Sequence, residues 1–230
     1  MGWESLSALL GPLGSPFLWQ QMTQALKETL LMVSLSLVLA ELGGLPLGVL
    51  LVVSGPGHLR PNPVLHHVLG IVVNVGRSLP FIILMVAIIP FTRLIVGTSI
   101  GTWAAIVPLT VAAIPFVARL VETSLLEVDP GVIEAAQAMG ASFSQIIGRV
   151  LLPEALPSLI AGATITAINL VGYSAMAGAI GGGGLGDLAI RYGYQRFQVG
   201  VMIVTVVILV LFVQVVQVVG DSLARRVDHR

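Results

Sequence analysis

From about residue 198 to 219 the chain reads VGVMIVTVVILVLFVQVVQVV, without one ionisable side chain. An α-helix needs about 20 mainly apolar residues to cross a bilayer, and this tract supplies them. It commits the chain to the membrane class, and composition agrees. Hydrophobic residues make up 56% and charged residues 10%, whereas soluble domains carry about 25% charged residues.

Other tracts qualify as spans in the same way. The first covers about 28–54, with Glu41 as its interior charge, and the turn SGPGHLRPNP follows it. The second covers about 64–91 and is interrupted at Arg77–Pro80, so it is either one helix kinked by proline or a broken pair. The third runs over about 101–121 and the fourth over about 155–179. The expected fold is all-α, an integral membrane protein with five transmembrane helices in one domain over 24–219. A tail over 220–230 follows. Residues 1–23 form a lead-in, short and amphipathic or loosely ordered. It has Glu4 and no basic residue before its apolar stretch, so the positive region of a signal peptide is missing.

Five spans leave the termini on opposite sides, and Lys and Arg near the span ends set the orientation. With residues 129–153 inside, Arg60, Arg119, Arg149, Arg225, Arg226 and Arg230 collect on the cytoplasmic face. Lys27, Arg93, Arg191 and Arg196 then lie outside. The expected orientation is N-terminus out, C-terminus in.

Within that inner loop stands DPGVIEAAQAMGAS, residues 129–142. Asp129 is placed to cap a helix and Pro130 suits its first position. Gly140 falls where a left-handed residue ends a helix. Ser142 and Gln145 have capping-box spacing for a second helix, which Pro153 is expected to break. Ala135, Ala136 and Ala138 keep the first helix low, while Ile133 and Met139 can project and Glu134 offers a charge. Two roles stay open on these residues alone: a peg for a groove in a partner, or a helical connector on the membrane surface.

Other constellations are weaker. GGGGLG, residues 181–186, has G-x-G-x-x-G spacing but follows a membrane span rather than a strand. Asp187 stands where a P-loop lysine belongs. A flexible external loop, re-entrant in one version, is the expectation. Arg77 is costly at bilayer depth and marks a pathway if it faces a cavity, or it snorkels to headgroups. Asn74, Ser78 and Pro80 lie beside it in sequence. Thr166, Asn169 and Tyr173 share a face of the fourth span; with Ser174 they either bond between helices or line a translocation path, and Met176 either lines it or packs. His66 and His67 are adjacent and point apart. Without cysteine or a carboxylate cluster, no metal site is expected, nor any catalytic residue. Net charge is zero, so no basic field draws nucleic acid.

Glu134-Ala135-Ala136, then Gly140, then Val150-x-Leu152-Pro153 resembles the EAA loop of ABC importer permeases, where Ile is usual in place of Val150. RSLPFIILMVAIIPFTRLIVGTSIG, AAIVPLTVAAIPFVARLVETSLLEV, LLPEALPSLIAGATIT and LVGYSAMAGAIGGGGLG look like the methionine-importer subfamily. The resemblance implies the type I ABC importer permease architecture, in the bacterial inner membrane, with residues of about 129–153 as the coupling loop. It implies that Glu134, Ala135, Ala136, Met139 and Gly140 meet a cytoplasmic ATPase. Two copies of that ATPase would bind ATP and Mg, this chain binding no cofactor. It further implies a homodimer with one path, fed by an extracytoplasmic substrate-binding protein and working by alternating access. The function expected is methionine import. A permease for another small amino acid, a stand-alone secondary transporter or channel, and a membrane enzyme are the rivals.

Overall fold

The computed structural model describes residues 16–228, and every regular element among them is helical. In order these are α1 (Pro16–Ser54), α2 (Pro63–Ser78), α3 (Phe81–Ala87), α4 (Ile89–Val96), α5 (Thr102–Leu126) and α6 (Pro130–Ala138). Then come α7 (Phe143–Ile146), α8 (Leu152–Glu154), α9 (Leu156–Ala179), α10 (Gly184–Leu188) and α11 (Val199–Val227). Among the described residues, α1, α5, α9 and α11 are each long and apolar enough to span a membrane, and α2 with α3 makes up to a fifth span.

The second tract is therefore the broken pair, bent by 102°. Pro80 has no N–H to continue the helix, and its ring pushes the preceding residue out of the helical region. Leu79 accordingly sits at φ −79°, ψ 125°.

Valine and isoleucine dominate α11 and favour strands in water. In lipid an isolated strand leaves its N–H and C=O groups unpaired, whereas a helix satisfies them internally. Ile203, Val207, Val210 and Val215 of α11 are about half exposed on this chain, as a lipid-facing helix requires.

Two compact units form. One contains the described residues up to Leu37, Pro80–Thr110 and Ala167–Val216. Its core joins Leu18, Met22 and Ala25 of α1 to Leu185, Leu188, Tyr192 and Val201. This packing explains why α1 starts at Pro16, well before the expected span and inside what the sequence suggested as a lead-in. Residues 1–15 of that lead-in, and His229 and Arg230 of the tail, lie outside the described residues.

The glycine run is tied into the fold by backbone hydrogen bonds. Gly184 N–H donates to Glu28 Oε2 at 2.8 Å, and Leu185 N–H donates to Thr29 Oγ1 at 2.9 Å. Gly101 N–H donates to the Gly181 carbonyl at 2.8 Å. A β-carbon on Gly186 would run into the Ala175 backbone. Glycine here permits close approach of α9 to α10.

The second unit contains Val38–Leu79, Val111–Thr166 and the residues from Gln217 onward. Gly44 and Gly48 of α1 face Val117 and Val121 of α5, where β-carbons on either glycine would lie 2.5 Å from the valine Cβ. Gly44-x-x-x-Gly48 is the small-residue spacing that lets membrane helices approach closely. Ala118 of α5 packs with Leu51 and Val73.

Candidate functional site

The sequence between α5 and α9 folds as two capped helices. Asp129 Oδ1 accepts from Gly131 N–H at 2.8 Å, with Pro130 in the first turn of α6. At the other end Gly140 sits at φ +78°. Ala141 N–H donates to the Ala136 carbonyl at 3.1 Å and Gly140 N–H to the Gln137 carbonyl at 2.9 Å. This six-to-one and five-to-two pair is a Schellman motif. Ser142 N–H then donates to Gln145 Oε1 at 2.8 Å, opening α7.

Pro153 does not break the second helix as expected. It lies within a continuous helical stretch, preceded by a π turn over Ile147–Leu151. The wider turn moves a carbonyl away from the proline ring and absorbs its missing N–H. The helix ends at Ala155 instead.

The peg α6 carries both exposed and buried residues. Met139 is 81% exposed, and Glu134, Ala135 and Gly140 are also exposed. Ala136, one turn before Met139, is buried. Ile133 is half-buried and does not project, whereas Val132 is exposed. Under α6 lies a cavity of about 380 Å³, lined by Val52, His58, Leu125, Ile133, Glu134 and Leu151 among others. Both ends of α6 are thus closed by caps, and the cavity lies on its Ile133 side. Arg60 lies over the Phe143 ring, 5.0 Å from its centroid, and ties the turn after α1 to α7.

The residues read as path-lining divide between the two units. Arg77 and Ser78 are exposed at the end of α2 in the second unit. Ser78 Oγ donates to the Asn74 carbonyl at 2.8 Å. Asn169, Tyr173 and Met176 belong to the first unit and share one face of α9. Tyr173 stacks on Phe81 at 4.7 Å between ring centroids, and Met176 is exposed. Ser174 lies on another face of α9, buried, with its hydroxyl donating to the Val171 carbonyl at 2.8 Å. His66 is engaged through Nδ1 with the Leu51 carbonyl at 3.0 Å.

Sequence alone marks Arg119 only as a basic residue of the inner face, whereas the structure pairs it on α5. Arg119 Nη1 lies 2.6 Å from Glu122 Oε2, and Nη2 donates to Asn74 Oδ1 at 2.6 Å. Arg119 and Glu122 are three residues apart on a span, a spacing that pairs charges on one helix face. That spacing was the available signal.

Comparison with known proteins identifies a family for the chain. Residues 44–230 match the family described as binding-protein-dependent transport system inner membrane component. A probable D-methionine transport system permease protein of Vibrio cholerae is 59% identical, over 88% of this chain and 90% of that protein. The methionine import system permease protein of Bacillus subtilis is 46% identical, over 79% and 82%. A solved structure of the MetNI methionine ABC transporter in an inward-facing conformation superposes with a TM-score of 0.92 at 51% identity, covering 94% of this chain and 100% of its counterpart. An amino acid ABC transporter at 19% identity, with a TM-score of 0.76 over 93% and 97%, shares the fold. By its membrane helices and by the match over most of its length, the chain belongs to the family of inner membrane components of binding-protein-dependent transport systems.

Proposed function

We propose that this chain is the permease subunit of an ATP-driven importer that carries methionine across the bacterial cytoplasmic membrane by alternating access. Two copies form the path over residues 24–219, two ATPase subunits dock inside, and a substrate-binding protein delivers ligand outside. The N-terminus faces out, and residues 220–230 form a cytoplasmic tail. ATP and its magnesium belong to the ATPase, so no nucleotide chemistry falls to this chain.

The observation that carries this reading is the capped peg with its exposed Met139. A short helix fixed at both ends, low in Ala and bearing one large apolar side chain, suits a groove in a partner. Glu134, Ala135, Met139 and Gly140 form the docking face, and Ala136 fixes the peg to its own subunit. ATP-driven closure of the partners moves the pegs, and α5 and α9 carry that motion to the path, which we assign to Arg77, Ser78, Asn169, Tyr173 and Met176. Ser174 supports that face from behind.

Reconstitution with the ATPase and the binding protein in liposomes tests the reading. Uptake of labelled methionine should require all components and ATP, and unlabelled methionine should compete better than other amino acids. Uptake by this chain alone overturns the proposal.

A further inference from the structure

Three observations converge on α5 and α2, both within the second unit. Arg119 reaches two partners at once, Glu122 on its own helix and Asn74 on α2, each at 2.6 Å. Glu122 is buried, 7% exposed. The helices close tightly on either side of this clasp: Val73 packs on Ala118, and a β-carbon on Gly76 would lie 2.9 Å from Pro115 Cγ. Ser78 Oγ bonds the Asn74 carbonyl, so the last turn of α2 hangs from the residue that Arg119 holds.

Chain connectivity gives the clasp its direction. α5 ends at Leu126 and α6 begins at Pro130, so the peg is joined to α5 by a short link. That link is itself held: Ser158 Oγ of α9 donates to Glu127 Oε2 at 3.2 Å. At its far end α2 stops at Ser78, with Leu79 extended before Pro80. A planar guanidinium held at two points resists sliding between helices, as a lone apolar contact does not.

We propose that Arg119 is a positioning residue, which locks α2 to α5 through Asn74 so that displacement of the peg carries the Arg77–Ser78 end of α2 with it. This rests on the importer reading above. Motion at the ATPase would otherwise shear between α5 and α2 and reach the path weakly.

The test uses the full transporter, reconstituted with its ATPase and binding protein, and measures methionine imported per ATP hydrolysed. Asn74→Leu should lower this ratio on the order of fivefold or more, the lower range of site-to-site coupling, while ATP hydrolysis continues. Arg119→Lys, a point charge unable to hold both partners, should also lower the ratio. Asn74→Asp keeps an acceptor for the guanidinium and should retain it. A merely structural role would reduce assembled transporter, so that hydrolysis and uptake fall together and the ratio stays constant. A constant ratio in Asn74→Leu, or an equal loss in Asn74→Asp, overturns the clasp. If Asn74→Leu fails to assemble, Arg119→Lys and Asn74→Asp decide it: a loss in the first alone supports the proposal, and any other result overturns it. Failure of the wild-type transporter to import methionine strikes the importer reading instead.

Discussion

Gly44 on α1 lies so close to Val117 on α5 that a β-carbon on the glycine would fall 2.5 Å from the valine Cβ and 2.9 Å from the Ile114 carbonyl oxygen. Both neighbours belong to one helix, and the carbonyl cannot rotate away. Gly44→Ala should therefore force α1 and α5 apart. Overpacking of this kind costs about 1–3 kcal/mol, read as a lower midpoint of thermal unfolding in detergent. Gly148→Ala meets nothing within 4 Å and should leave that midpoint near wild type.

Gly140 raises a different issue, since space around it is open and only its φ of +78° is restrictive. Gly140→Val should cost about 1–2 kcal/mol in backbone strain and weaken co-purification of the ATPase. Gly140→Asn, which tolerates the left-handed region, should keep most of it. Equal loss in both variants would place the effect in contact with the partner rather than in the peg's own backbone.

How much of this could be read in advance follows from the range of each interaction. The caps of α6 are local: Asp129 with Gly131, and Gly140 with Gln137. Local chemistry is visible in a short window, and both caps of α6 agree with the expectation, though Ile133 does not project. Hydrophobic tracts are also local, and the spans were placed to within a few residues at most ends. The early start of α1 was not visible, because Leu18, Met22 and Ala25 pack on residues beyond Gly184. The same holds for the glycine run, whose order comes from Glu28, 156 positions away. A run of glycines by itself suggests flexibility, and nothing within Gly181–Gly186 points to the distant carboxylate that accepts from its backbone. Pro153 misled for another reason: proline breaks regular α-helix, and only the structure reveals the π turn that accommodates it.

Glu28 therefore deserves its own test. Glu28→Ala removes the acceptor for Gly184 N–H, a partly buried bond, and a stranded donor of this kind costs about 1–3 kcal/mol. Thr29→Val removes the buried bond from Leu185 N–H in the same way. Each variant should lower the thermal midpoint, and limited proteolysis should cut more readily between Gly181 and Leu188. Glu28→Gln retains an acceptor oxygen and should lose less than Glu28→Ala. Unchanged midpoints in both truncations would mean that helix packing alone orders the loop.

Met139 and Ala136 belong to one helix yet predict opposite kinds of failure. Met139 is 81% exposed and Ala136 is 4% exposed. Met139→Ala removes a projecting apolar side chain that its own subunit does not use, so the thermal midpoint of the isolated permease should not move. ATPase affinity should fall by roughly tenfold, since truncating an interface anchor costs more than about 1 kcal/mol. Ala136→Leu instead forces volume into the seat of the peg, and overpacking costs about 1–3 kcal/mol. Here the midpoint should fall first, with docking lost as a consequence of a displaced helix. Measuring ATPase binding and permease unfolding side by side separates the two. If Met139→Ala destabilises the isolated permease as much as it weakens binding, Met139 is a packing residue and the proposed docking through it fails.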